Sequence, residues 1–314
     1  MLKKLAKSNQ VPRFPTEYNY TGVEVHEEYQ YLNLISDILE EGSTEMTRNG
    51  YTKSVFGATM CFSLQNNKIP ILTTKKVAWK TCLKELLWFI SGKTDNQHLR
   101  DVNVHIWDAN GSREFLDSRG LINRRVDDLG PIYGHQWRHF NAPYVDCDTD
   151  YTGKGIDQLQ NIIDILKDPS QRTSRRMVLS AWNPCQLDEM ALPPCHVLVQ
   201  FNVHDGNKLS CMMTQRSCDC CLGQPFNIAS YAFLTHLLAK HCELEAYEFI
   251  YSIGNCHIYE EHYEGAKEQL KREPYEFPTI TIKQKRENID DYVLDDFELT
   301  NYKCHDVIKM KMVA

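Results

Sequence analysis

The 314-residue chain has no uninterrupted apolar run of membrane-spanning length, which argues against a transmembrane helix. Nor does it have an internal repeat, a low-complexity tract or a flexible linker, so nothing divides it into independent parts. It lacks an excess of positive charge: 35 Lys and Arg against 42 Asp and Glu give a net −7, which argues against a dedicated nucleic-acid surface. Any bound anion must therefore be held by local arginines. Met1 to Lys7 is basic, but no long apolar core follows it, so export is not expected. Cysteine is plentiful by contrast. The twelve cysteines are scattered and include the adjacent pair Cys220-Cys221, which suits no ordinary disulfide framework, so a reducing, cytoplasmic setting is expected. Cys218 and Cys221 form one C-x-x-C spacing without a second pair to complete four zinc ligands, so no metal is expected.

With 42% hydrophobic and 25% charged residues, the chain has the composition of a globular protein with a substantial core. Residues 1–25 read as a loose, polar arm. The remainder, 26–314, reads as one catalytic domain of mixed α and β structure, a mixed sheet packed with helices. Tyr31, Leu34, Ile35, Ile38 and Leu39 fall on one helical face. Met46–Gly50 reads as a loop, and Ser54–Leu64 and Ile69–Thr74 as strands. From Trp79 to Ile90 a helix is apolar nearly all round, which buries Glu85. Desolvation would raise its pKa and fit it to carry protons near neutrality; a partnered structural glutamate is the alternative. Gly130–Arg138 reads as a strand-like turn, Ile156–Leu166 as an amphipathic helix, and Met177–Trp182 as a strand with Arg175 and Arg176 at its mouth.

The chemistry concentrates between Leu192 and Tyr231. Pro193 and Pro194 fix the backbone ahead of Cys195-His196, and Val197–Val203 has the composition of a buried strand. Asp205-Gly206-Asn207 signals a turn, and Lys208–Thr214 returns as a second strand. Gln215–Asp219 then reads as a loop, as does Leu222–Asn227 ahead of a helix carrying Tyr231, Leu234, Leu237 and Leu238. The tail reads as a helix with His257, Tyr259, His262 and Tyr263, followed by strands near Thr279–Lys283 and Phe297–Tyr302. Cys195 is a nucleophile if a cation such as Arg216 lowers its pKa, and otherwise an inert core thiol. Arg48, Arg175, Arg176 and Arg216 either converge on a phosphate or are solvated surface residues.

These motifs, in this order, resemble the thymidylate synthase family: Glu85–Phe89, Asn103–Asp108, Asp128–Arg138, Ser174–Arg176, Leu192–His196, Gln215–Asp219, Leu222–Tyr231 and His257–Tyr259. The resemblance implies the family's α+β fold and a homodimer formed through its sheet. It also implies reductive methylation of dUMP to dTMP, with 5,10-methylenetetrahydrofolate as co-substrate and dihydrofolate released. By the same resemblance Cys195 is the nucleophile toward uracil C6. Glu85, Asn227, Tyr133, His196 and Asp219 complete the catalytic set. Arg48, Arg216 and Ser217 bind the phosphate, Arg175 and Arg176 reach it from the partner subunit, and His257 and Tyr259 hold the sugar. Asn227 reads the pyrimidine's O4 and N3. Ile106, Trp107, Leu192, Asp219, Leu222, Gly223, Phe226 and Ala314 are expected at the folate, and Lys75 at its glutamyl tail.

The chain departs from the family's pattern at Thr47–Thr52, at Cys220-Cys221 and at the terminal Met312-Val313-Ala314. These positions bear on cofactor affinity and closure more than on nucleotide binding. Two alternatives stay open: a dUMP hydroxymethylase, in which water replaces hydride, and a catalytically silent nucleotide- or RNA-binding regulator.

Overall fold

A computed structural model describes residues 25–47 and 49–312. The arm read over residues 1–25 therefore lies, apart from Val25, outside the described residues, as do Arg48 and Ala314. The helices are α1 (Tyr29–Glu41), α2 (Trp79–Ile90), α3 (Gln97–Asp101), α4 (Arg113–Ser118), α5 (Tyr133–His139), α6 (Gln158–Lys167), α7 (Gly223–His241) and α8 (Tyr263–Gln269). The strands are β1 (Ser43–Thr47), β2 (Gly50–Ser63), β3 (Val178–Ser180), β4 (His196–His204), β5 (Lys208–Asp219), β6 (Glu245–Tyr259), β7 (Thr279–Ile282) and β8 (Phe297–Thr300). Six strands form one mixed sheet in the order β1-β2-β6-β5-β4-β3, and β7 and β8 form a separate pair. This is the α+β architecture the sequence implied.

Within the large sheet only β5 and β6 run parallel; the other neighbours are antiparallel. A parallel pair needs a crossover, and α7 supplies it, packing on both strands it joins. The amphipathic α1 buries Tyr31, Leu32, Leu34, Ile35 and Ile38 against β2. The hairpin between β4 and β5 turns through Asp205 (φ 49°) and Gly206 (φ 81°), a left-handed pair that the Asp-Gly dipeptide tolerates.

Several local expectations are corrected. Ile69–Thr74 is a buried irregular segment, not a strand. Its backbone donors find a side chain instead of a ladder: Thr73 and Thr74 donate their N–H groups to the Glu28 carboxylate at 2.9 Å each, and their hydroxyls at 2.7 and 2.6 Å. Met46 and Thr47 are not loop but the end of β1, paired with Tyr51 and Gly50. Gly130–Arg138 is mostly α5, whose aromatic, β-like composition is overridden by burial of Tyr133 through Trp137. A Cβ on Gly134 would lie 2.8 Å from the Lys93 carbonyl oxygen, so only glycine lets this helix approach so closely.

Gln215–Asp219 continues β5, and the tail residues His257 and Tyr259 sit on β6, a 15-residue strand that the helical reading of this region concealed. The helix of the tail is the later α8. Leu222–Asn227 is the first turn and a half of α7, where Pro225 costs no hydrogen bond because first-turn N–H groups have no intrahelical partner.

Candidate active site

Cys195 stands immediately before β4, and three elements fix its position. The Tyr133 hydroxyl on α5 accepts the backbone N–H of Cys195 at 2.7 Å and that of His196 at 3.4 Å. From β5, Arg216 donates its own N–H to the Cys195 carbonyl at 3.0 Å, while its guanidinium donates to the Pro194 and Pro193 carbonyls at 2.9 Å each. The same guanidinium lies over the Trp182 ring, 5.5 Å from its centroid, and 3.8 Å from the Cys195 Sγ. The half-buried thiol thus has a cation beside it. Even so, burial outweighs Arg216 and leaves the Cys195 pKa above its ordinary 9.0, so the expected net lowering is corrected to a net rise.

Behind the thiol, His196 is buried and its Nε2 lies 2.7 Å from the Asn227 Nδ2. Desolvation pushes the imidazole pKa down to about 4, so at neutral pH it is uncharged. An uncharged Nε2 without a proton accepts the Asn227 N–H, which orients the amide. Asn227 itself is 9% exposed in the first turns of α7. Glu85, on α2, is part-buried and accepts the Trp107 indole N–H at 2.7 Å. Desolvation raises its carboxyl pKa from 4.5 to about 7 against the opposing effect of that hydrogen bond. Such a carboxyl exchanges a proton readily near neutrality.

The sign of this shift makes a prediction. Between the ordinary carboxylate range and about pH 7 the folded chain holds a proton on Glu85 that the unfolded chain has released. Its contribution to stability is present at lower pH, falls as pH rises through this window and is lost above it. Glu85→Gln is expected to be the more stable protein at about pH 8, with the difference shrinking toward about pH 5. Thermal unfolding of both proteins across that range measures it.

The groups expected at a nucleotide gather through strand register. β5 and β6 pair Ser217 with Asn255 and Asp219 with His257, and β2 and β6 pair Ser54 with His257 and Thr52 with Tyr259. A cleft of about 220 Å³ opens there, lined by Ser217, Asn255, His257 and Tyr259 among others. Asn255, whose Oδ1 lies 2.9 Å from the His257 Nδ1, was missed from sequence. So was Gln215, a buried amide whose Oε1 accepts the Tyr251 hydroxyl at 2.6 Å. The signal for both was the period-2 pattern of β5 and β6, hidden by reading those segments as loop and helix.

At the other end, the Asp219 Oδ1 accepts the N–H groups of Cys221 at 2.8 Å and Leu222 at 3.1 Å, just ahead of α7. Leu222, Gly223 and Phe226 are partly exposed at the helix start, and Ile106 and Leu192 are partly buried against the core. Lys75 departs from its expected place at an exposed anionic tail. It is 6% exposed, and its ammonium donates to the Cys221 carbonyl, bracing the loop from below. Arg175 and Arg176 are exposed beside β3, at the edge of the sheet, and do not join the other groups within this chain.

Comparison with known proteins places this arrangement. The family described as thymidylate synthase matches residues 29–314. The chain is 52% identical over 299 residues to a bifunctional dihydrofolate reductase-thymidylate synthase of Plasmodium berghei, covering 95% of this chain and 50% of that protein. It is 50% identical over 291 residues to the bifunctional protein of Leishmania major, covering 92% and 56%. Against a probable thymidylate synthase of Schizosaccharomyces pombe it is 53% identical over 313 residues, covering 96% and 49%. The chain thus spans about half the length of these relatives. A match over nearly all of the described residues, at this identity, shows that the chain belongs to the thymidylate synthase family.

Proposed function

We propose that the chain methylates dUMP reductively to dTMP, consuming 5,10-methylenetetrahydrofolate and releasing dihydrofolate. The observation that carries this reading is a guanidinium beside the Cys195 sulfur, an amide oriented by the adjacent His196, and a proton-exchanging carboxyl that acts on the same Tyr133 whose hydroxyl holds the Cys195 backbone. Uracil C5 is a poor nucleophile. Attack of the Cys195 thiolate on C6 makes C5 an enolate carbon that takes the one-carbon unit; loss of the C5 proton and of the folate nitrogen leaves an exocyclic methylene, and hydride from the folate completes the methyl group as the Cys195–C6 bond breaks and dihydrofolate leaves. Arg216 and Ser217 bind the phosphate, and His257 and Tyr259 the sugar. Asn227 matches the donor and acceptor sense of the uracil O4–N3 edge, and Glu85 handles the proton at O4. Tyr133 fixes the two amides around the nucleophile. Asp219, Trp107, Leu192 and the start of α7 receive the folate.

The assembly is a homodimer in which Arg175 and Arg176 of each chain complete the other's phosphate site. Support comes from their exposure here and from apolar side chains left in water on the sheet. Phe56 is 86% exposed, and Val178 and Met212, both paired with Gln200 across β4, are 36% exposed. The absence of a disulfide among the described residues, despite twelve cysteines, suits a reducing, cytoplasmic setting. Among the described residues no helix is long and apolar enough to cross a membrane.

Incubation with 5-fluoro-dUMP and methylenetetrahydrofolate, followed by peptide mapping, tests the chemistry: a ternary adduct on Cys195 is expected, and an adduct elsewhere or none rejects it. Product mass separates dTMP from 5-hydroxymethyl-dUMP. The amide makes its own prediction. Asn227→Asp replaces a donor by an acceptor toward uracil, so kcat/KM for dUMP is expected to fall by about a hundredfold or more while the ratio of dCMP to dUMP turnover rises. Steady-state kinetics with both nucleotides measures it.

A further inference from the structure

Asp219, Cys221 and His262 bring a carboxylate oxygen, a thiol sulfur and an imidazole nitrogen within 4.8 Å of one another. We propose that these three residues bind a zinc-class divalent cation. The C-x-x-C spacing pairs Cys221 with Cys218 and led to no metal being expected, whereas the converging partners are Asp219 and a residue far along the chain.

The imidazole decides the case. The His262 Nε2 lies 2.7 Å from the Lys311 carbonyl oxygen, which can only accept, so Nε2 carries the proton and Nδ1 presents a lone pair. That Nδ1 is buried, in a residue with no exposed surface, and has no hydrogen-bond partner. It faces the Asp219 Oδ1 at 4.0 Å, beyond hydrogen-bond reach even if Nδ1 were protonated. A buried, unpartnered nitrogen lone pair facing a partly exposed carboxylate is an unfavourable arrangement that a cation between them relieves. A metal-bound histidine characteristically donates its other ring N–H to a backbone carbonyl, as His262 does.

The remaining donors agree. Asp219 is held in place by the N–H groups of Cys221 and Leu222, which orients its carboxylate as an outer shell would. Binding releases the Cys221 thiol proton to solvent, and thiolate and carboxylate together neutralise a divalent ion. Zinc-class bond lengths of about 2.0–2.3 Å place tetrahedral ligand atoms about 3.3–3.8 Å apart, so the cluster closes by roughly 1 Å on binding. Three protein donors leave the fourth position open to water. Thiolate and imidazole select zinc-class ions over magnesium or calcium. Burial and the neighbouring Asp219 carboxylate push the Cys221 thiol up to about 12, which Lys75 offsets only in part while its ammonium repels the ion, so the site is weaker than a four-ligand structural zinc site.

Cobalt(II) titration of the metal-free, reduced chain tests the site with no reference to catalysis. The expected result is one equivalent bound, with a thiolate-to-cobalt charge-transfer band and tetrahedral d–d absorption, both displaced by zinc. Cys221→Ser is expected to lose the charge-transfer band and weaken binding by about a hundredfold or more, while Cys185→Ser, at an exposed cysteine, changes neither. Circular dichroism confirms that each variant is folded. Absence of the band in the folded parent chain, or its retention in folded Cys221→Ser, overturns the proposal.

Discussion

Cys195→Ala is expected to lower dTMP formation by about ten-thousandfold or more while nucleotide binding survives. The size follows from the role proposed for the sulfur. Without a bond at C6 the uracil ring keeps an unreactive C5, and His196 does not substitute, because its acceptor Nε2 is taken by the Asn227 amide. Binding survives because the contacts proposed for the nucleotide come from other residues, Ser217, Asn227, His257 and Tyr259. Arg216 stays anchored on the Pro193 and Pro194 carbonyls, which the substitution leaves in place. Calorimetric titration with dUMP, set beside steady-state product formation, separates the two effects. Turnover within tenfold of the parent chain rejects the nucleophile. The raised thiol pKa adds that the resting site holds Cys195 protonated at neutral pH, so the proton must leave as the ring arrives.

The second large effect concerns stability. Glu28→Ala is expected to destabilise the chain by about 3–5 kcal/mol, read as a shift in the urea midpoint. The Glu28 carboxylate has no exposed surface and accepts from two backbone N–H groups and two hydroxyls, all from Thr73 and Thr74. Its removal strands those donors in a dry interior. Glu28→Gln keeps the volume but turns an NH2 toward groups that include two obligate donors, so an intermediate loss is expected. A surface substitution such as Glu264→Ala, at a residue whose ion pair with Lys267 is solvent-exposed, is expected to leave the urea midpoint essentially unchanged.

Helices with a strong apolar stripe were legible in the sequence: α1, α2 and α6 fall where the spacing of leucines and isoleucines put them. The hairpin around Cys195 was legible too, because Asp-Gly and a β-branched run are local signals. What failed were segments whose conformation is set by distant partners. β6 is a central strand whose polar residues His257 and Tyr259 serve the site, so its alternation carries little hydrophobic contrast. α5 is a helix by tertiary packing against the propensity of Tyr133, His135 and Trp137. Ile69–Thr74 looks like a strand because it is apolar, yet the N–H groups of Thr73 and Thr74 are satisfied by one carboxylate. For the site, the roles proposed for Cys195, Glu85 and Asn227 rest on the family resemblance, and only the burial of Glu85 was read from the apolar helix around it. Their distances, the upward shift of the thiol and the burial of Lys75 depended on contacts between residues far apart in the chain.

α7 leaves only Gly223, Phe226 and Lys240 of its 19 residues less than buried. Aromatic rings meet it from several directions: Tyr231 lies 6.5 Å from Trp137 and 6.1 Å from Phe249, and Phe233 lies 6.1 Å from Trp79 and 6.3 Å from Phe297. A rod gripped along its whole length cannot slide or roll without disturbing every neighbour at once. The amide of Asn227 therefore inherits its aim from the middle of the molecule, and a change of volume two or three turns away reaches the pyrimidine as surely as one beside it.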